Sequence, residues 1–303
     1  MKCLLVYNPY SGHQKFHKLV PFLEKKLNEI GYLVDVFASN KIGSIYDKIY
    51  LDAEKYDLVY VSGGDGTLHE VINSLMKLNP KSRPNIYYYP SGTLNDFAKS
   101  FKLKVSIKNS IKIIEESNIK RFDVIKVNTQ YFIYASAFGK FTSVSYKNQH
   151  KCKKFFGRFF YYFSIISNLF SKYNQEVECS FNDENIQYKN YVTFFLNTRK
   201  VGGFKIHRKE KVYFNDNELN LTIIKKSFFS FFNLLLFFVF GEHYHSHNII
   251  QRKVQEIKIK SPTPIFLNGD GELLSCDQSF DIRMKEDKYI HIYLPKKVNG
   301  FFK

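Results

Sequence analysis

The 303-residue sequence predicts an α/β plus β protein: an N-terminal doubly wound α/β domain over 1–122 and a C-terminal β-sandwich domain with helical insertions over 123–303, its tail free to return to the first domain. Three observations predict it. Up to Phe122, short apolar runs without period-2 alternation take turns with helical spacing, the pattern of parallel strands covered on both faces. Three of those runs end in turns rich in Gly, Ser, Thr or Asn. Beyond Phe122, strand-like segments dominate.

Lys2 to Tyr7 (KCLLVY) reads as the first strand, ended by Asn8-Pro9-Tyr10-Ser11-Gly12, and Lys18 to Ile30 has helical spacing. Leu58 to Val61 is a second buried-type strand that runs into Gly63-Gly64-Asp65-Gly66. Leu68, Val71, Ile72 and Leu75 then fall on one helical stripe. Asn85 to Tyr89 (NIYYY) ends in Pro90-Ser91-Gly92-Thr93-Leu94-Asn95-Asp96, and Ser106 to Glu116 is helical. In the second part, Val124 to Val127 and Tyr131 to Ser136 bracket an Asn128-Thr129-Gln130 turn. Val177 to Phe181, Tyr191 to Asn197, Leu219 to Ile224, Val254 to Ile259, Ile265 to Leu267 and Tyr289 to Tyr293 continue the strand set. Two helical candidates, Gly157 to Phe170 and Phe228 to Phe240, interrupt it.

A formal charge of +17 and a pI near 9.4 favour a polyanion, either nucleic acid or an anionic membrane leaflet. Cys3, Cys152, Cys179 and Cys276 show no C-x-x-C spacing, which speaks against a zinc site or disulfide framework and for a reducing cytosol. The apolar start of MKCLLVYNP breaks at Asn8-Pro9 and reads as a strand, not a signal peptide. Phe228 to Phe240 is interrupted by Ser230 and Asn233 and falls short of the roughly 20 residues of a spanning helix, so a soluble chain is expected. His243, His245 and His247 have an alternation that suits a metal, but a solvated end that compensates a helix dipole explains them better.

The chemistry starts at the second turn. Gly63, Gly64 and Gly66 let a backbone approach a ligand, and their N–H groups sit at the positive end of a helix, which favours an anion. A tight strand-to-helix connection would account for the same glycines. Asp65 would repel a phosphate there unless a divalent cation lay between them, so it reads as a ligand on the metal side. Three such strand ends are expected to share one ligand, in a cleft between the domains. Glu272, within Asn268-Gly269-Asp270-Gly271-Glu272, is placed to accept a hydroxyl proton, although a type I′ or bulged turn would explain its glycines equally well.

The motifs NPYSG, GGDGTLHEV and PSGTLNDFA, in this order, resemble the signatures of the diacylglycerol kinase catalytic-domain family of lipid kinases. Phe138 to Phe163, VGGFKI from Val201 to Ile206, the segment Asn215 to Lys226 and GDGE from Gly269 to Glu272 extend the resemblance to the soluble Gram-positive diacylglycerol kinases over nearly the whole chain. The resemblance implies an N-terminal nucleotide-binding domain, a C-terminal lipid-substrate domain, ATP and Mg2+. It implies that Glu272 is the general base and Asp65 the acid acting through magnesium. It places Asn8, Pro9, Tyr10, Ser11, Gly12, Ser39, Gly64, Asp65, Gly66, Thr67, Leu68, His69, Glu70 and Thr93 on ATP-contacting positions, with Asp96 in a supporting charge network. Asp216 matches the side-chain ligand of a structural magnesium, to which Tyr213 and Glu218 would contribute backbone carbonyls; read locally, the Asp-Asn pair is also a common turn. His13 and His69 depart from the family pattern, which has lysine and asparagine there.

Lys151 to Lys172 joins a basic cluster to an aromatic-rich helical pattern. Phe155, Phe159, Tyr162 and Ile166 share a face, most of which would pack in the core, leaving a rim and the lysines for lipid. The expected protein is an ATP-dependent lipid kinase that converts diacylglycerol to phosphatidic acid, cytoplasmic and peripherally bound at an anionic membrane surface. No specific nucleic-acid partner is expected, and a homodimer is one option for its assembly. The alternatives are a kinase for another lipid alcohol or a soluble acceptor such as NAD, and a catalytically silent membrane- or nucleic-acid-binding module.

Overall fold

The computed structural model describes the chain except for residues 13, 94, 141–173, 202–203 and 207–211. It is a mixed α/β structure with two compact units. The first comprises Met1–Val124, Tyr213–Asp216 and Glu286–Lys303, the second Ile125–Val212 and Asn217–Lys285.

In the first unit, β1 (Lys2–Tyr7), β2 (Leu33–Ala38), β3 (Leu58–Gly63) and β4 (Asn85–Pro90) are parallel, in the order β2-β1-β3-β4. Cys3 to Val6 of β1 and all of β3 are buried, which is why neither sequence alternates. The edge strand β2 is largely exposed, and neither it nor the helix after it was anticipated from the sequence. The helices are α1 (Val20–Glu29), α2 (Ser44–Asp52), α3 (Asp65–Leu75), the short α4 (Asp96–Ser100) and α5 (Ile107–Glu115). A 3-10 turn over Phe16–Leu19 precedes α1, which starts late because Pro21 suits its first turn. Ser106 caps α5 by accepting the Asn109 N–H at 3.3 Å.

Two devices tie the distant segments of this unit together. Phe214 stacks on Phe122 with centroids 5.0 Å apart and meets Phe101 at 4.8 Å, while Phe301 and Phe302 close the cluster. Its backbone joins both sides: Asp123 N–H donates to Phe214 O at 2.8 Å, and Phe214 N–H donates to Phe301 O at 3.0 Å. The second device is the buried Arg83, whose guanidinium donates to the carbonyls of Leu75, Leu78, Asp287 and Tyr289 at 2.8–3.1 Å. The first two are carbonyls at the C-terminal end of α3, where a cation is favoured. The other two hold the returning strand, whose Ile292 lies beside Ile86 of β4.

The second unit is predominantly antiparallel. Its strands are β5 (Ile119–Val127, entering from the first unit), β6 (Gln130–Phe132), β7 (Ala135–Gly139), β8 (Gln175–Phe181), β9 (Glu184–Leu196), the short pair β10 (Lys200–Val201) and β11 (Phe204–Lys205), β12 (Leu219–Lys225), β13 (Ile249–Val254), β14 (Glu256–Gly269) and β15 (Glu272–Tyr293, belonging to the first unit from Glu286 on). Two long strands each serve two neighbourhoods. β9 pairs with β8 over Glu184–Asn190 and with β7 and β12 farther along. β14 pairs with β8 near its start and β7 at its end. Between them lies a core that includes Phe132, Phe138, Phe195, Ile257, Leu267 and Phe280. Helix α6 (Ser230–Phe240) sets Leu234 and Phe237 against Tyr191, Val192, Leu196 and Ile224.

The single strand expected over Tyr131–Ser136 is two strands, broken at Ile133 and Tyr134 because those N–H groups are taken by the Asp270 carboxylate. The strand expected over Val254–Ile259 divides at Gln255, whose carbonyl accepts the Met284 N–H at 2.8 Å. The helix expected over Gly157–Phe170 lies outside the described residues.

Replacing Phe214, 1% exposed, by alanine is expected to destabilise the first unit by about 3–5 kcal/mol. The same change at Phe228, 94% exposed, is expected to leave the denaturation midpoint unchanged. Comparable midpoints for the two variants would show that the aromatic cluster does not hold the unit together.

Candidate active site

Three loops meet at the carboxyl ends of β1, β3 and β4. Gly64 is the extended N-cap of α3, so Asp65 and Gly66 occupy the first turn of that helix with their backbone donors unspent on the helix itself. The loop after β4 presses against it: a Cβ on Gly92 would stand 2.4 Å from the Gly64 Cα. The loop after β1 presses on the same segment from Gly12, where φ is +53° and an added Cβ would be 2.1 Å from Ser91 O. Glycine at 92 is thus required by close backbone approach, not by a left-handed conformation, whereas a Cβ on Gly64 would be 3.5 Å from the Gly92 Cα, an ordinary contact.

Hydrogen bonds lock the three loops. Asn8 N–H donates to Ser62 O at 3.0 Å, Ser91 and Gly92 N–H both donate to Gly63 O at 2.9 and 3.1 Å, and Ser62 Oγ donates to Ser91 Oγ at 3.0 Å. Asn8 also folds its own loop by accepting the Tyr10 N–H at 2.9 Å, while Ser11 N–H donates to its carbonyl at 3.1 Å. A residue missed from the sequence completes the lock. Asn95 is left-handed, with φ 51°; its Nδ2 donates to Gly92 O at 2.8 Å, and its Oδ1 accepts from Tyr88 OH at 3.4 Å. Its signal was the side chain itself, since Asn is the residue after Gly that enters that region most readily.

Asp65 is held as a bridge between two loops. Its Oδ2 accepts the Asp96 N–H at 3.1 Å and its Oδ1 the Phe97 N–H at 3.4 Å, so one carboxylate joins α3 to the start of α4. Burial pushes its carboxyl above the ordinary range; the Asp96 N–H opposes that shift and the Asp96 charge adds to it. Asp96 itself lies 3.8 Å from Lys99.

The other sequence-derived positions have distinct places. Thr67 and Leu68 are buried, Thr67 packed over Gly63, whereas Tyr10 and Thr93 are exposed. Ser39 follows β2 and its Oγ donates to Lys41 O at 3.1 Å beside Ser44 Oγ at 3.0 Å. Glu70 accepts the Gly43 N–H at 3.4 Å, which ties α3 to the start of α2. His69 turns inward: its Nε2 is 3.2 Å from Asn73 Nδ2, its Nδ1 is buried without a partner among the described residues, and burial lowers its pKa to about 4. At neutral pH it is an uncharged packing residue. Pro9 and Gly12 belong to the first loop, and His13 lies outside the described residues. A surface cavity of about 560 Å³ lined by Glu29, Gly31, Tyr32 and Ile114 opens elsewhere, beside the start of β2, and is not part of these loops.

In the second unit, Asp270 and Gly271 have φ of +52° and +90°, the two left-handed central residues of a type I′ hairpin joining β14 to β15. Asp270 pins this hairpin: its carboxylate accepts the N–H groups of Ile133, Tyr134 and Ala135 at 2.7, 2.9 and 3.1 Å. Glu272, the first residue of β15, is exposed, and no group among the described residues holds its carboxylate. Tyr213 and Asp216 lie in the first unit and Glu218 in the second. The buried Asp216 carboxylate is 3.9 Å from Lys303 Nζ, and Glu218 pairs with Lys253 at 3.1 Å. Among the described residues no three His, Cys, Asp or Glu side chains cluster in a way that would hold a metal. His243 pairs with Glu242 at 3.5 Å at the end of α6.

Glycine-built loops at parallel strand ends, one of them opening a helix, are the parts of an α/β phosphate-binding protein. Residues 2–127 match the diacylglycerol kinase catalytic domain. The chain is 30% identical over 299 residues to a diacylglycerol kinase of Staphylococcus carnosus, covering 98% of this chain and 96% of that one. It is 31% identical, with the same coverage, to a diacylglycerol kinase of Staphylococcus saprophyticus. The crystal structure of a diacylglycerol kinase from Bacillus anthracis shares the fold, with a TM-score of 0.78 over 98% of both chains at 22% identity. The chain belongs to the diacylglycerol kinase family, and it is a lipid kinase. Its family implies ATP as the phosphate donor. No helix among the described residues is long and apolar enough to cross a membrane.

Stability should depend on pH through His69. Its folded pKa, about 4, lies below the ordinary 6.5, so the contribution is present above pH 6.5 and is lost as pH falls toward 4. The loss should reach about 3 kcal/mol at most, and His69→Asn should flatten the stability profile across that window. Parallel profiles for the two proteins would remove His69 from the acid response.

Proposed function

We propose that the chain transfers the γ-phosphoryl group of ATP to the free hydroxyl of diacylglycerol, giving phosphatidic acid and ADP. The observation that carries this reading is the contact of Gly64 with Gly92, which aligns the phosphate-type turn with the PSGTLND loop. The first unit is read as a doubly wound nucleotide-binding domain and the antiparallel unit as a β-sandwich that presents the lipid acceptor. The α3 N-terminus offers N–H donors and a positive dipole end to the phosphates of ATP, and the glycines keep side chains out of the way.

The residues present fit magnesium. Asp65 has two carboxylate oxygens oriented by backbone donors and spare lone pairs for a hard cation, and when bound Mg2+ would supply charge neutralisation between the phosphates. Asp216, with its carboxylate buried, and the carbonyl of Tyr213 would supply oxygen ligands to a structural magnesium. Glu272 is the base: the diacylglycerol oxygen bonds to the γ-phosphorus, its proton passes to the Glu272 carboxylate, and the bond to the ADP oxygen breaks. The reading includes a cytoplasmic protein bound peripherally at an anionic membrane, without a specific nucleic-acid partner and with a homodimer as one assembly. The basic segment Lys151–Lys172, which supported membrane contact from sequence, lies outside the described residues.

Two substitutions separate binding from chemistry. Glu272→Gln is expected to lower kcat by on the order of 10² or more with little change in ATP affinity, since the amide cannot accept the proton. An unchanged kcat would remove Glu272 from the mechanism. Asp65→Asn is expected to lose most turnover at saturating magnesium and about 1 kcal/mol of stability, because one of the two N–H donors loses its acceptor. Turnover is measured with labelled ATP against diacylglycerol, other lipid alcohols and NAD; label appearing in NAD and not in lipid would overturn the acceptor.

A further inference from the structure

Helix α6 has its polarity reversed relative to a water-facing helix. Its only polar residues, Ser230 and Asn233, are buried at 3% and 4% exposure. Both are satisfied inward: Ser230 Oγ donates to Ser227 O at 2.7 Å, and Asn233 Oδ1 accepts from Tyr244 OH at 2.8 Å. With Leu234 and Phe237 they fix which side of α6 rests on the core of the second unit. Phe238 is half-buried against the same core, and most of the other apolar side chains are turned out. Phe228 is 94% exposed, Phe229 60% and Phe232 58%, and Leu235, Val239 and Phe240 are between 44% and 50%. Single exposed apolar side chains are ordinary on a protein surface, but a contiguous aromatic strip of this kind marks an interaction surface.

The charges around the strip select its occupant. From Lys225 to His247 the only acid is Glu242, whose side chain is 8% exposed and 3.5 Å from His243. Lys226, His245 and His247 are exposed at the two ends, and Lys225 is partly so. Lys140 belongs to the same basic group, since burial and then the charge of Lys226 lower its pKa. Two copies of the chain meeting at this strip would bring like charges together, whereas anionic headgroups would pair with them.

We propose that α6 seats the protein on an anionic bilayer: Phe228, Phe229, Phe232, Leu235, Val239 and Phe240 enter the boundary between headgroups and acyl chains, and Lys225 and Lys226 lie among the headgroups. The assignment rests on the described surface of the second unit and requires neither ATP nor the segment 151–172. It gives the peripheral attachment a specific hydrophobic element.

The sequence contains no tryptophan, so Phe232→Trp introduces a single reporter at an exposed position. On vesicles of equal parts phosphatidylglycerol and phosphatidylcholine, without ATP, its emission is expected to shift to the blue and to be quenched by brominated acyl chains. Phe228→Ser with Phe232→Ser is expected to lower vesicle partitioning about tenfold or more. Phosphorylation of a water-dispersed short-chain diacylglycerol by that double variant should match the parent, which keeps failure of seating distinct from failure of the kinase reading. Four results would overturn the proposal: no binding to these vesicles, binding with an unshifted and unquenched reporter, lost short-chain turnover in the folded double variant, or a lipid-free dimer that the serines dissociate.

Discussion

No side chain fits on Gly92 where it meets Gly64. That steric constraint organises the site, since it brings the mouth of β3 and the loop after β4 into backbone contact and so points the first turn of α3 at a surface made by several loops. The other features depend on holding those two backbones together. Ser91 and Gly92 both donate to Gly63 O, Tyr88 reaches Gly63 O and Asn95 from below, and Asp65 crosses to the α4 N–H groups. The backbone donors at the start of α3 are thereby fixed in place.

The parts of this arrangement that were legible in the sequence share one property: their signal is local. Continuous apolar runs revealed β1, β3 and β4 because both faces are buried, and the helical spacing of Ser106 to Glu116 revealed α5 because its apolar stripe lies within a few turns. The unanticipated parts depend on distant partners. β2 has only one neighbour in its sheet and a mostly exposed burial pattern, so no clear periodicity marks it. β15 runs for 22 residues, and over its polar part Glu272–Arg283 it is held by pairing with β14, so only its apolar end at Tyr289–Tyr293 carries a strand signal in the sequence. Phe214 sits in a short loop that nothing in its flanks assigns to the first unit; its partners Phe101, Phe122 and Phe302 come from far away in sequence.

His69 shows the limit of reading chemistry from position. It stands within a motif associated with nucleotide contact, yet its imidazole turns toward Asn73 one helical turn on, and burial keeps it neutral. The reason is α3's own geometry: Leu68 and Ile72 face the core, so the residue beside them is drawn into the same boundary. Helix rotation, invisible in a motif, decides which residues of the motif have usable side chains. The same variable governs α6, where the inward demand of Ser230 and Asn233 for hydrogen bonds leaves Phe232 and Phe240 facing outward.

The tripeptide Gly-Asp-Gly occurs twice, at Gly64–Gly66 and Gly269–Gly271, and the two copies differ in conformation. In the first, an extended Gly64 caps a helix that Asp65 begins; in the second, Asp270 and Gly271 are both left-handed and turn a hairpin. The residues C-terminal to each copy determine the outcome, because Leu68, Val71 and Ile72 give helical periodicity to one, and the other leads into β15, which pairs back on β14. The aspartates nevertheless do the same physical work. Asp65 accepts two backbone N–H groups and Asp270 three, each fixing one loop against another. With three donors on its two oxygens, Asp270 is the more fully committed to scaffolding. Glu272, two residues on, has no such anchor among the described residues, so within GDGE the aspartate positions the turn while the glutamate leaves an exposed carboxylate at the start of β15.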